Sequence, residues 1–156
     1  MPREKKSKAP KKTAREVALD LVAKRALSRH ELEQRLARRG YAPDEIEDAV
    51  ALIDEYNYID DEALAAAVQR EAARTGRGTR WVQQTLMRRQ IAAKPTSSAH
   101  LDHESMQRAR TLLERRYGDT TALDPKDKGR AYAFLARRGF TPDAIRTLLD
   151  VDDLLE

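Results

Sequence analysis

Leu36-Ala37-Arg38-Arg39-Gly40-Tyr41 returns as Leu86-Met87-Arg88-Arg89-Gln90-Ile91 and again as Leu135-Ala136-Arg137-Arg138-Gly139-Phe140, at spacings of 50 and 49 residues. A fixed period in this range is the signature of a tandem array. Each copy reads as the end of a helix. A leucine faces inward, two arginines sit in the last turn beside the carbonyl end of the dipole, and a stop is followed by a large apolar residue that folds back. Gly40 and Gly139 suit the left-handed stop, whereas Gln90 suits it poorly.

The segments before each stop carry helical periodicity. Ala14, Val17, Ala18, Leu21 and Val22 fall on one helix face, with Thr13 as N-cap. Ser28 and Glu31 form a capping box ahead of Leu32 and Leu36, and Pro43-Asp44-Glu45 opens a helix with the stripe Ile46, Ala49, Val50 and Ile53, extended by Tyr56. Asp60, Asp61 and Glu62 suit the start of the next module, whose first helix buries Leu64, Ala67, Val68 and Ala72. Arg74 to Thr79 reads as a turn around Gly76 and Gly78, with Thr79 capping a helix through Val82 and Leu86. Residues 94–103 have little stripe, so a short weak helix or disorder is expected there. The last module has Met106, Ala109, Leu112, Leu113 and Tyr117, then Gly118, a loop, Pro125, Ala131 and Leu135. Thr141-Pro142-Asp143 then caps a helix whose Ile145, Leu148 and Leu149 match Ile46, Ala49 and Val50.

No strand signal competes. The expectation is an all-α protein of nine helices, one of them weak. Three tandem three-helix modules (13–58, 59–103 and 104–156) would form an elongated, curved helical-repeat body behind a disordered basic tail, 1–12.

The composition fits: 36% of the 156 residues are charged and 5% aromatic. There is no cysteine, which excludes disulfides, thiolate metal sites and cysteine nucleophiles together. No apolar run approaches a membrane span or a signal peptide, so a soluble, cytoplasmic protein without membrane contact is expected. The net charge of +4 is mostly a tail effect, since residues 1–12 hold six bases and one acid and the rest holds 24 bases and 25 acids. Charge is nevertheless sorted along the chain. Residues 70–94 hold seven bases against Glu71, and residues 44–62 hold nine acids and no base.

Two blocks resemble a known family. Ala18-Leu19-Asp20-Leu21 with Arg25, Ser28, Glu31-Leu32 and Leu36 to Gly40 is similar to the start of RecX, the bacterial regulator of the RecA recombinase. Tyr58-Ile59-Asp60-Asp61-Glu62, Leu64-Ala65, Arg70, Gly76, Gly78, Arg80, Val82, Leu86 and Ile91 resemble that family's most characteristic block, and the likeness extends over about residues 14–152. Departures are Leu64 in place of an aromatic, Thr79 in place of a proline, Trp81 in place of a polar residue and Gln90 in place of a glycine. The resemblance implies a non-enzymatic, monomeric protein of DNA repair and the SOS response. It would bind the RecA–DNA filament and reduce ATP hydrolysis, strand exchange and filament growth.

The candidate contact residues are Arg70, Arg74, Arg77, Arg80, Trp81, Arg88 and Arg89. Guanidinium pairs bidentately with phosphate or carboxylate, and seven bases against one acid cannot neutralise one another within the segment. The plainer reading is a solvated face paired with the acids of residues 44–62. The arginine pairs at 38/39, 88/89 and 137/138 also serve their own helix ends. Trp81 either stacks on a base or fills a partner pocket, or else packs between modules. His100 and His103, with Asp102 and Glu104, have ligand-like spacing but no third partner, and a solvated loop is the better reading. Gly76-Arg77-Gly78-Thr79 lacks the ending of a phosphate loop. No nucleophile, cofactor or metal motif supports catalysis. The competing function is a stand-alone, sequence-tolerant binder of single- and double-stranded DNA acting through the tail and the basic middle.

Overall fold

A computed structural model describes residues 11–92 and 98–150, and of residues 98–101 the backbone alone. The tail expected to be disordered, residues 1–12, therefore lies outside the described residues except for Lys11 and Lys12. Among the described residues the chain is all-helical: α1 (Ala14–Lys24), α2 (Arg29–Ala37), α3 (Pro43–Glu55), α4 (Asp61–Thr75), α5 (Thr79–Arg88), α6 (Ser98–Tyr117), a 3-10 turn (Thr120–Ala122), α7 (Pro125–Arg137) and α8 (Pro142–Leu149). They form two compact units that divide at Asp61/Glu62.

The first unit is the bundle α1–α3. Thr13 and Ser28 cap α1 and α2 by accepting from the Glu16 and Glu31 backbone amides, and both glutamates reach back to complete capping boxes. Ala18, Leu21, Leu32, Leu36, Ala49, Val50 and Ile53 converge in its core. Leu27, in the α1–α2 connection, joins them fully buried. Tyr56 does not extend the α3 stripe: α3 stops at Glu55, Asn57 turns left-handed at φ 54°, and Tyr56 is 60% exposed.

The second unit holds α4–α8 with two cores. Leu64, Ala65, Val68, Ala72, Val82 and Ile91 make the first; Ala109, Leu113, Ala131, Leu135, Phe140, Ile145 and Leu149 make the second. Ala65 rather than Ala67 is buried on α4, and Ala67 faces solvent. Among the described residues, eight α-helices and one 3-10 turn stand where nine helices were expected. The weak helix expected at 94–103 is not separate, because residues 98–103 open α6, while residues 93–97 lie outside the described part.

The thrice-repeated hexapeptide makes the same turn each time. The N–H groups of Tyr41, Ile91 and Phe140 return to the carbonyls of Leu36, Leu86 and Leu135 at 3.4, 3.0 and 3.2 Å. Those of Gly40, Gln90 and Gly139 return to Ala37, Met87 and Ala136 at 2.9, 3.0 and 3.0 Å. This pair of bonds is the Schellman closure, which satisfies two orphan carbonyls of the helix end. Gln90 adopts the required left-handed conformation, at φ 46°, although it lacks glycine's freedom.

Candidate partner-binding surface

The turn between α4 and α5 is held by the third copy of the hexapeptide. Gly78 N–H donates to the Arg138 carbonyl at 3.0 Å and Trp81 N–H to the Gly139 carbonyl at 3.3 Å. This approach leaves no room for side chains at two glycines. A Cβ on Gly78 would lie 2.4 Å from the Gly139 oxygen, and one on Gly139 would lie 2.5 Å from the Trp81 Cβ. The same constraint corrects the role expected for Thr79. Gly78 takes the cap position with an extended backbone, and Thr79 becomes the buried first residue of α5, its N–H donating to Ser105 Oγ at 3.2 Å.

Arg138 does more than serve its own helix end. Its Nη1 donates to the carbonyls of Thr75 and Gly76 at 3.2 and 3.5 Å, capping the C-terminus of α4 from a residue far along the chain. The Arg138 guanidinium also lies over the Phe134 ring at 4.9 Å, as the Arg116 guanidinium does at 4.8 Å. In the first copy, by contrast, Arg39 Nη1 bonds the Arg35 carbonyl of its own helix at 3.0 Å. The repeat is conserved in backbone but not in side-chain use.

Around this fixed turn lie the sequence-derived candidates. Arg70 and Arg74 are exposed one turn apart on α4, and Arg80 is exposed in the first turn of α5. Arg77 is half-buried in the turn, its guanidinium 5.9 Å over the half-buried Trp81 ring. Trp81 packs against the first core of the unit and the Gly139 backbone and stays half-exposed. Arg88 and Arg89 stand at the other end of α5, about 12 Å along the helix from Arg80.

Among the described residues, Arg70, Arg74, Arg77, Arg80 and Arg88 have no carboxylate within 4.0 Å. Bases elsewhere do pair: Arg15 with Asp48, Arg29 with Asp54, Arg130 with Asp127 and Arg146 with Asp143. Asp48 and Asp54, two of the acids considered as counter-charges for the basic segment, are thus engaged inside the first unit.

Sequence reasoning passed over two residues of α6. With Arg74 and the end of α4, Arg108 and Arg115 line a groove of about 450 Å³. Arg108 Nε donates to the Arg77 carbonyl at 3.3 Å, tying the groove to the turn. His103 Nε2 faces Gln107 at 3.5 Å, the His100 side chain lies outside the described residues, and no group of three His, Asp or Glu is placed to hold a metal among the described residues.

Two family models match: that described as RecX, first three-helix domain, over residues 14–51, and that described as RecX, third three-helix domain, over residues 102–149. Among curated relatives, the regulatory protein RecX of Halorhodospira halophila is 33% identical over 140 residues, 88% of this chain and 87% of its own. The chain belongs to the RecX family. The RecX of Vibrio parahaemolyticus serotype O3:K6 is 29% identical over 95% of this chain and 97% of its own. The crystal structure of RecX from Lactobacillus salivarius shares the fold, with a TM-score of 0.72 and 20% identity over 88% of this chain and 94% of that one. RecX is a family of regulatory proteins, not of enzymes. Among the described residues no helix is long and apolar enough to cross a membrane.

Proposed function

We propose that this member of the RecX family is a negative modulator of the RecA recombinase that binds the RecA–DNA filament in the cytoplasm. It reduces ATP hydrolysis, strand exchange and filament growth, and its contact surface is Arg70, Arg74, Arg77, Arg80 and Trp81, continued along α5 by Arg88 and Arg89. The observation that carries this reading is the set Arg70, Arg74, Arg77 and Arg80, which have no carboxylate partner among the described residues and are presented beside a turn clamped by backbone hydrogen bonds. Unpaired surface charge steers association and fixes orientation on an oppositely charged partner. A rigid presenting turn spares the ordering cost that a flexible loop would incur on binding.

The test is DNA-dependent ATP hydrolysis by RecA with the parent protein and with the fourfold variant R70E/R74E/R77E/R80E. Arg70, Arg74 and Arg80 are exposed, so each change there costs within about 0.5 kcal/mol, and R77E adds the loss of its contact with Trp81, about 0.5–1 kcal/mol. Inhibition is expected to disappear while helical content is kept. Arg137, exposed at the end of α7, is the matched control. Arg138 is not, because its guanidinium caps α4. Full inhibition by the folded fourfold variant would move the surface elsewhere.

A further inference from the structure

We infer that the groove between the end of α4 and α6 is a binding site for the phosphodiester backbone of a single nucleic-acid strand, read by Arg74, Arg108 and Arg115. The groove extends the surface proposed above by naming what one part of it touches, and it rests on the filament reading for its biological setting only.

The donor set is guanidinium and little else. Thr75 Oγ1 donates to the Glu71 carbonyl at 2.7 Å and Thr111 Oγ1 to the Gln107 carbonyl at 3.1 Å, so both hydroxyl protons are turned into their own helices. No carboxylate lines the groove. Glu114, beside Arg115 in sequence, lines a different cavity near Gly118 and Thr120. Glu104 reaches Arg108 Nη1 at 3.7 Å from one turn away, without lining the groove. Arg108 and Arg115 are seven residues apart on α6, about 10 Å along the axis and on one face, with Arg74 opposite on α4. Arg74 and Arg115 are placed to meet phosphate oxygens bidentately from the two walls, and Arg108, with Nε and Nη1 engaged, offers its Nη2 between them.

One feature would ordinarily oppose an anion here, since the C-terminus of a helix presents carbonyl oxygens and the negative end of the dipole. Three of the oxygens at this end are occupied. Ala72 O accepts from Arg77 N–H at 2.8 Å, and the Thr75 and Gly76 carbonyls accept from the Arg138 guanidinium. The cation that caps α4 also cancels its repulsion toward the groove.

A nucleic acid fits better than an acidic peptide because of what adjoins the groove. Arg108, with a side chain 19% exposed, is anchored to the Arg77 carbonyl, and Arg77 lies over Trp81. A basic track beside an aromatic face is the arrangement that follows a strand's phosphates while stacking a base. Among the lining side chains only Ala73 and Leu112 are wholly apolar, which gives a peptide one large side chain to pack against.

The experiment uses the full chain without RecA. A fluorescein-labelled oligothymidylate of about 15 nucleotides, the scale of one compact site, is titrated by anisotropy across a salt series with the parent and with R74Q/R115Q. Arg108 is left intact because it supports the turn. Two lost phosphate contacts should lower the slope of log K against log salt by about 1.4, at about 0.7 per contact on a single strand. Quenching of the sole tryptophan by the oligonucleotide should weaken, and polyglutamate at matched charge should fail to compete. If the double variant melts early, R115Q alone should lower the slope by about 0.7. No binding by the parent, an unchanged slope in the folded variant, or equal displacement by polyglutamate would each overturn the assignment, the last in favour of an acidic protein surface. Failure of the filament reading would appear elsewhere, as a parent protein that binds the oligonucleotide but leaves RecA hydrolysis untouched.

Discussion

Replacing Gly78 by alanine isolates the contact that holds the α4–α5 turn. The backbone there is ordinary, at φ −92° and ψ 175°, so alanine is locally unstrained and should gain about 0.4–1 kcal/mol through the unfolded chain. Opposing this, its Cβ would meet the Gly139 oxygen at 2.4 Å and the Phe140 Cα at 2.5 Å. Both are backbone atoms and cannot rotate away. Relief requires the turns to separate, which breaks the Gly78–Arg138 and Trp81–Gly139 bonds at about 1 kcal/mol each. Strain around the fully buried Phe140 adds about 1–3 kcal/mol more. The expected net loss is about 2–4 kcal/mol, read from urea unfolding followed by circular dichroism. Gly40→Ala is the reference: φ is 85° but nothing lies within 4 Å, so only the left-handed backbone penalty of about 1–2 kcal/mol applies. If the filament reading holds, Gly78→Ala should also weaken inhibition of RecA hydrolysis without removing a charge. A Gly78→Ala protein within about 0.5 kcal/mol of the parent would refute the tight-docking argument.

Gln90→Gly should stabilise the chain by about 0.5 kcal/mol, because release from φ 46° outweighs the added freedom of the unfolded state, and melting should rise by about 1–2 °C in calorimetry. Arg138→Met keeps the stem over Phe134 but leaves the Thr75 and Gly76 carbonyls without their donor; a loss of about 1–3 kcal/mol is expected in chemical unfolding, against less than about 0.5 kcal/mol for Arg137→Met. The backbone N–H and hydroxyl of Thr13 hold the Glu16 carboxyl below its ordinary value near 4.5, so its contribution is present above about pH 4.5 and is lost as pH falls through the lowered value. Parent and Glu16→Gln should therefore differ in stability at neutral pH and converge in acid, and a gap that persists unchanged in acid would contradict this.

The local rules were the legible ones. Thr13 with Glu16, Ser28 with Glu31 and Thr141 before Pro142 are contacts within three residues, and each cap stands where the sequence puts it. Ala67 was misjudged because alanine marks a helix face weakly: Ala65 and Ala67 flank the stripe of Leu64, Val68 and Ala72 on opposite sides, and the packing against Val82 and Ile91 decides between them. Ser98 to His103 lack an apolar stripe but continue a helix already stabilised by Ala109 and Leu113, so propensity carries the extra turns. The site was half-visible. The charge imbalance exposed Arg70, Arg74, Arg77 and Arg80, whereas Arg108 and Arg115 sit among Glu104 and Glu114 in sequence and emerge only when the fold leaves both acids outside the groove lining. The Arg138 cap spans 63 residues, beyond any local pattern.

The chain's sole tryptophan lies in the second unit, at the clamped turn, while three of its five tyrosines, Tyr41, Tyr56 and Tyr58, lie in the first. Trp81 emission thus watches one cooperative block, and helical ellipticity watches both. Two-state behaviour requires such probes to trace one transition. Each unit has its own core, so separated tryptophan and ellipticity midpoints would mark two independently melting blocks, and coincident ones a single cooperative chain.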